Sequence, residues 1–172
     1  SRDFDVTEVS FSSYLVKHSR GESPYIAVPV FLSRAFRHTS IYVRKDRIQR
    51  PEDLKGCRIG IPEYQLTAIV WARSILQDDY GIRPEDVKWV RGGIDTPGRP
   101  EKIKLNLPPG VDVTSAPEGR TISDLLDQGE IDAFIAPRPP SGPALSNPQV
   151  GWLFDDPTAA AKDYYGRTGI FP

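Results

Sequence analysis

Methionine is absent from the 172 residues, cysteine occurs once and histidine twice. Without a methionine the chain does not begin at a start codon, and it is expected to be a piece of a longer protein. The lone Cys57 can form no internal disulfide and no cysteine-based metal cluster. That fits a reducing compartment, although a mature exported protein could look the same. His18 and His38 sit in no H-x-x-x-H arrangement, so no metal site is expected. Neither charge is in excess: 22 Lys and Arg stand against 23 Asp and Glu, for a net charge of −1. With no basic surplus to neutralise phosphates, nucleic acid is not an expected partner. No apolar run approaches the roughly 18 residues of a membrane span. No signal-peptide pattern opens the chain, and the expected location is the cytoplasm. A G-x-S-x-G elbow, a Walker-A loop and a dinucleotide fingerprint are all missing, which sets aside the chemistries they support. Arg91-Gly92-Gly93 is too short to read as a phosphate loop.

What is present reads as a globular α/β chain. The length suits one ordinary domain or two small lobes, and is ample for a core. Hydrophobic residues make up 38% and charged residues 26%. Proline is abundant, 17 residues, about twice the usual share of roughly 5%. The prolines concentrate in residues 97–117 and 137–148, which read as loops because periodic segments resume after each. Strands are expected at residues 4–9, 27–32 (irregular or at an edge, because of Pro29), 36–44, 57–61, 87–90, 131–136 and 150–154. Helices are expected from Ser10 to the basic end before Gly21, at 66–80 closed by Gly81, at 121–128 with Thr121 or Ser123 at the N-cap, and at 157–165 ended by Gly166. Residues 51–56 read as one helical turn, and 92–117 as a long loop that could hold a short hairpin. Strands alternating with helices at short spacing indicate a mainly parallel sheet.

Two stretches then carry a resemblance. PEDLKGCRIGIPEYQLTA (residues 51–68) and GRTISDLLDQGEIDAFIAP (119–137) resemble the type II periplasmic-binding-protein superfamily. Five separated segments in order, DFDVTEVSFSSYL, FRHTSIYVR, IGIPEYQLTA, VRGGID and YYGRTGIFP, narrow the likeness to the 4,5-dihydroxyphthalate decarboxylase family. The resemblance implies two lobes with mixed or parallel sheets, the first incomplete here. Residues 1–45 would form part of the first lobe and a hinge strand, 46–150 the second lobe, and 151–172 the return. Family members are longer, starting with a strand and helix ahead of Asp3 and continuing past Pro172, which agrees with the missing methionine.

Four constellations could carry chemistry. The turn at residues 8–13 places Ser10 and Ser12 at a helix N-terminus, a ready anion site; the alternative is plain N-capping. Arg37, His38 and Ser40 lie in the segment read as a strand, where His38, Ser40 and Tyr42 would share one face. Arg37 could clamp a carboxylate and His38 deliver a proton; the alternative is solvated basic residues and a satisfied histidine. Tyr64, Gln65 and Thr67 open a second helix, whose N-terminus would face the first across a cleft, or form an ordinary turn. Arg138 leaves the end of a strand, where side chains reach the crevice of open α/β sheets, or is a loop residue between prolines. Cys57 is expected to be inert.

The resemblance implies a decarboxylase of a dihydroxylated aromatic diacid, with no cofactor. A hydroxyl para to the leaving carboxylate can push electrons into the ring and hold charge as a dienone, so the protein need only anchor the other carboxylate, desolvate the leaving one and protonate the ring carbon. His38 is the expected proton donor. Ser10, Ser12, Arg37, Ser40, Tyr64, Gln65, Thr67 and Arg138 are the expected substrate contacts. The rival is a non-catalytic solute-binding protein of the same fold, exported to the periplasm and serving a transporter. Uncovered apolar sheet in an incomplete first lobe would favour self-association.

Overall fold

The computed structural model describes residues 4–172, so Asp3 at the head of the first matching segment lies outside the described residues. The expected α/β class holds: among the described residues six strands form one mixed sheet in the order β4-β3-β2-β5-β1-β6. The strands are β1 (Ile41–Arg44), β2 (Arg58–Ile61), β3 (Lys88–Arg91), β4 (Asp112–Ser115), β5 (Ala133–Ile135) and β6 (Val150–Trp152). β2 pairs in parallel with β3 and β5, and β3 in parallel with β4. β1 alone runs the other way, antiparallel to both β5 and β6. The helices are α1 (Phe11–Ser19), α2 (Thr67–Tyr80), α3 (Ile122–Asp127), α4 (Pro143–Ser146) and α5 (Pro157–Thr168). None of them is long and apolar enough to cross a membrane.

The period-2 alternation of strand side chains sorts the core onto two faces. Ile41, Val43, Ile59, Ile61, Ala133 and Ile135 pack with Ile69, Ala72 and Leu76 of α2. Tyr42 and Phe134 point the opposite way, against Ile122, Leu125 and Leu126 of α3. α2 forms because Ala68, Ile69, Ala72, Ile75 and Leu76 are its buried residues, an i, i+1, i+4, i+7, i+8 stripe of one helix face. Gly81 ends it at φ 63°, with its N–H on the carbonyls of Gln77 and Leu76, the left-handed cap that glycine adopts without strain. α3 starts at Thr121, whose hydroxyl accepts the Asp124 N–H while Asp124 accepts the Thr121 N–H, a reciprocal capping box.

Several expected elements differ. Residues 4–9 and 27–32 form no strand, since β-propensity alone stabilises nothing without a partner strand. Ile26, Val28, Val30, Phe31 and Leu32 are exposed. Only the second half of 36–44 is a strand: Arg37–Ser40 is a 3-10 turn, and extended structure starts at Ile41 where β5 and β6 supply partners. The shared face of His38, Ser40 and Tyr42 therefore does not exist. The long loop holds β4, which pairs in parallel with β3 and makes no hairpin. The second proline-rich stretch holds the short α4, with a proline at its first position. α5 passes through Gly166 and ends at Gly169, φ 66°.

Two glycines test this packing in opposite directions. A Cβ on Gly60 would sit inside the van der Waals shell of Ile122 and 2.6 Å from Ile131 Cδ1, so glycine here lets α3 approach β2. Gly60→Ala should lower unfolding stability in urea by about 1–3 kcal/mol. Gly166 is helical with open space around its Cβ position, and Gly166→Ala should raise stability by roughly 0.5–1 kcal/mol.

Candidate functional site

The parallel strands β2, β3, β4 and β5 end along one edge of the sheet, and the turn after β2 enters α2 there. That turn is held by charges from a distant loop. The Glu101 carboxylate accepts the backbone N–H of Tyr64 and of Gln65, each at 2.9 Å. In the opposite sense, the buried Glu63 carboxylate accepts Arg99 Nε at 2.8 Å and Nη2 at 2.5 Å, with Lys102 Nζ at 3.8 Å. An N–H pair at a helix entrance is a carboxylate site by dipole and geometry, and in this structure the protein's own Glu101 fills it.

The start of α1 docks on the same turn. Ser10 Oγ lies 2.9 Å and Ser12 Oγ 3.2 Å from Thr67 Oγ1. The Ser12 N–H donates to Thr67 Oγ1 at 3.1 Å, and the Ser12 hydroxyl donates to the Gln65 carbonyl. Ser10 occupies the N-cap position of α1 yet makes no side-chain cap bond, so plain N-capping by Ser10 is not what the structure contains. Ser10, Ser12, Gln65 and Thr67 are thus brought together, and two helix N-termini, each carrying roughly half a positive charge, point at one place. They meet in direct contact and leave no open cleft between them. Tyr64 joins through its backbone only: its buried ring packs edge-on to Trp89 with centroids 5.7 Å apart.

The other expected residues lie elsewhere. His38 is 1% exposed, packed on the rings of Phe154 and Tyr164 at 5.2 and 5.6 Å. Its 3-10 turn lies against α2 and α5, and its Nδ1 is buried with no hydrogen-bond partner among the described residues. Burial pushes its pKa down; Asp79 opposes this, Arg167 adds to it, and Asp163 opposes it. Asp79 belongs to the last turn of the 14-residue α2, about 18 Å along the axis from Thr67 at 1.5 Å per residue. Arg37 Nε is enclosed without a partner, and burial lowers the pKa of that guanidinium. Ser40 is buried at the start of β1, where its carbonyl accepts the Ala136 N–H at 3.1 Å. Arg138 is exposed just beyond β5, at the strand-end edge. Cys57 is half-buried, and burial raises its pKa, as expected of an inert thiol. Among the described residues no cluster of His, Cys, Asp and Glu could hold a metal ion.

Sequence reasoning missed Glu63, Arg99 and Glu101. The one available signal was the density of charge, Arg99, Glu101, Lys102 and Lys104, within a proline-rich loop.

His38 yields a pH prediction. Its folded pKa lies below the ordinary 6.5, so the unfolded chain binds more protons in the interval between them. Stability from this group is fully present above pH 6.5 and is lost as pH falls through the folded value. The urea midpoint of the wild type should fall more between pH 7.5 and 5 than that of His38→Gln. Equal falls in both proteins would contradict a buried neutral imidazole.

No family model matches the chain. It is 59% identical over 171 residues to the 4,5-dihydroxyphthalate decarboxylase of Comamonas testosteroni, a match covering 99% of this chain and 52% of that protein. It is 57% identical over 164 residues to the 4,5-dihydroxyphthalate decarboxylase of Pseudomonas putida, covering 95% of this chain and 64% of that protein. The chain therefore spans about half the length of the first relative and under two thirds of the second. By sequence it belongs to the same family as these two proteins, the 4,5-dihydroxyphthalate decarboxylase family.

Proposed function

We propose that the chain forms the substrate-anchoring part of a cofactor-independent carboxy-lyase that converts 4,5-dihydroxyphthalate to 3,4-dihydroxybenzoate and carbon dioxide. The observation that carries this reading is the 59% identity along 99% of the chain to a 4,5-dihydroxyphthalate decarboxylase. The proposed setting is a cytoplasmic enzyme of the type II periplasmic-binding-protein-like fold, with the diacid held between two lobes.

In this reading the carboxylate that the substrate keeps takes the Tyr64 and Gln65 N–H pair, displacing Glu101. The hydroxyls of Ser10, Ser12 and Thr67 line the same helix entrances, and Arg138 meets the diacid from the end of β5. The para hydroxyl gives up its proton and pushes electron density into the ring, and the carbon bearing the leaving carboxylate takes a proton, giving a dienone. The bond to that carboxylate then breaks, its electron pair returns to the ring, and carbon dioxide leaves as aromaticity is restored. Positive helix ends and Arg138 would stabilise the charge that develops on the ring and its oxygens. A proton donor must reach the reacting carbon. His38 is enclosed by Phe154 and Tyr164 and is held in its neutral form, so we assign it the packing of the 3-10 turn and take the proton from solvent or another acid.

The test is release of carbon dioxide from 4,5-dihydroxyphthalate by the purified protein, with 3,4-dihydroxybenzoate in equal amount. Arg138→Ala should raise KM about 10- to 100-fold, the worth of a hydrogen bond to a charged group, and leave kcat within a few-fold. His38→Ala should lower stability and change kcat little. A fall in kcat of roughly 10²- to 10⁴-fold in a folded His38→Ala protein would return His38 to the role of acid. Tight binding of the diacid with no carbon dioxide would favour the solute-binding reading.

A further inference from the structure

A cavity of about 370 Å³ opens between α1, α2 and residues 105–108. That volume lies in the range of small-molecule pockets. Its α2 wall is formed by Val70, Arg73, Ser74 and Gln77, an i, i+3, i+4, i+7 face; Val16 of α1 and Leu105 and Leu107 of the loop close the other sides. It touches the turn at Tyr64 and Gln65 but extends along α2, away from the strand ends.

The walls mix apolar and polar side chains, and the Arg73 cation among them has no carboxylate in direct contact. The Arg73 guanidinium lies over the Tyr64 ring, 3.6 Å from its centroid, and its Nε is buried with no hydrogen-bond partner. Among the described residues no carboxylate forms an ion pair with Arg73, whose side-chain partner is the Tyr64 phenol. Asp78 lines the cavity but is exposed and makes no ion pair with it. Glu101 acts on Arg73 through space, while its two oxygens are engaged by the Tyr64 and Gln65 N–H groups. Arg20, also in the lining, donates to the Lys104 carbonyl at 3.1 Å. A guanidinium carries five N–H donors, and withdrawing them from water unpaired is unfavourable unless a ligand completes them. The ring face beneath Arg73 meets only one side of the ion.

We propose that this cavity binds a small monocarboxylate with an apolar or aromatic body, its carboxylate paired with Arg73 and its body against Val16, Val70, Leu105 and Leu107. Arg73 lies within the cavity while Arg20 is tied to the Lys104 carbonyl, which favours a single carboxylate, and the apolar side chains of Val16, Val70, Leu105 and Leu107 favour a ligand with an apolar body over a hydrated ion. The site stands independently of whether the chain decarboxylates anything.

Benzoate is the probe, titrated calorimetrically into the protein. Arg73→Gln should weaken binding at least tenfold with an unchanged circular dichroism spectrum. Leu107→Glu, a surface substitution that sets a carboxylate into the mouth, should weaken it similarly and serves if Arg73→Gln does not fold. Arg138→Gln should leave it unchanged. In a ¹⁵N correlation spectrum, the arginine Nε–H signal missing from Arg73→Gln should move when benzoate is added. The proposal is overturned if millimolar benzoate does not bind, if inorganic phosphate binds as tightly, if Arg73→Gln and Leu107→Glu bind like wild type, or if Arg138→Gln abolishes binding instead.

Discussion

The entrance to α2 is the point on which the surrounding structure depends. A helix start leaves backbone N–H groups without intrahelical partners. The residue at the N-cap is Leu66, whose side chain has no oxygen to offer them. The turn just ahead of that N-cap is held from far along the chain: Glu101 accepts the Tyr64 and Gln65 N–H groups, and the Ser12 hydroxyl donates to the Gln65 carbonyl. Thr67 Oγ1, at the first helical position, gathers Ser10 and Ser12. Three segments distant in sequence are joined by these bonds, and the loop around residues 97–105 is fastened a second time through Glu63.

This arrangement carries an electrostatic consequence. Two helix dipoles pointing their positive ends at one place repel each other, and an anion between them relieves the repulsion. Glu101 brings a negative charge to the turn ahead of α2 from within the chain. Glu63 next to it is buried, and the more exposed Arg99 and Lys102 compensate it; removing Arg99 would leave the buried carboxylate without its direct partner. The turn thus has a place for negative charge and a neighbouring pair that keeps the loop over it. A ligand carboxylate of the right reach could exchange with Glu101 without new backbone geometry.

Features set by local chemistry were readable in the sequence. The stripe of α2 with Gly81 at its end, the Thr121 box of α3, and β2, β3 and β5 follow from periodicity and caps that a single segment contains. What failed depended on partners. Residues 36–44 have the β-branched and aromatic character of a strand throughout, but neighbours exist only from Ile41 onward, so His38 turns inward onto Phe154 and Tyr164. Residues 27–32 have strand character and no partner. Within the site, the grouping of Ser10, Ser12, Gln65 and Thr67 was legible because helix starts announce themselves. Their contact across more than fifty residues was not, nor was Glu101, because nothing in a local window pairs a loop carboxylate with a distant N–H. Arg73 was hidden for the same reason: on a helical wheel it is one more polar position, and only the fold places Tyr64 beneath it.

In the proposed function, Glu101 occupies the position that a ligand carboxylate would take at the start of α2. Equilibrium binding of 4,5-dihydroxyphthalate to Glu101→Gln, beside the wild type, tests it directly. Glutamine is nearly isosteric and cannot compete as an anion, so the account requires tighter binding by the variant, a Kd lowered about tenfold, which is roughly 1.4 kcal/mol. An unchanged or weaker affinity in a folded Glu101→Gln protein would contradict it and leave the Glu101 contact as a structural clasp alone.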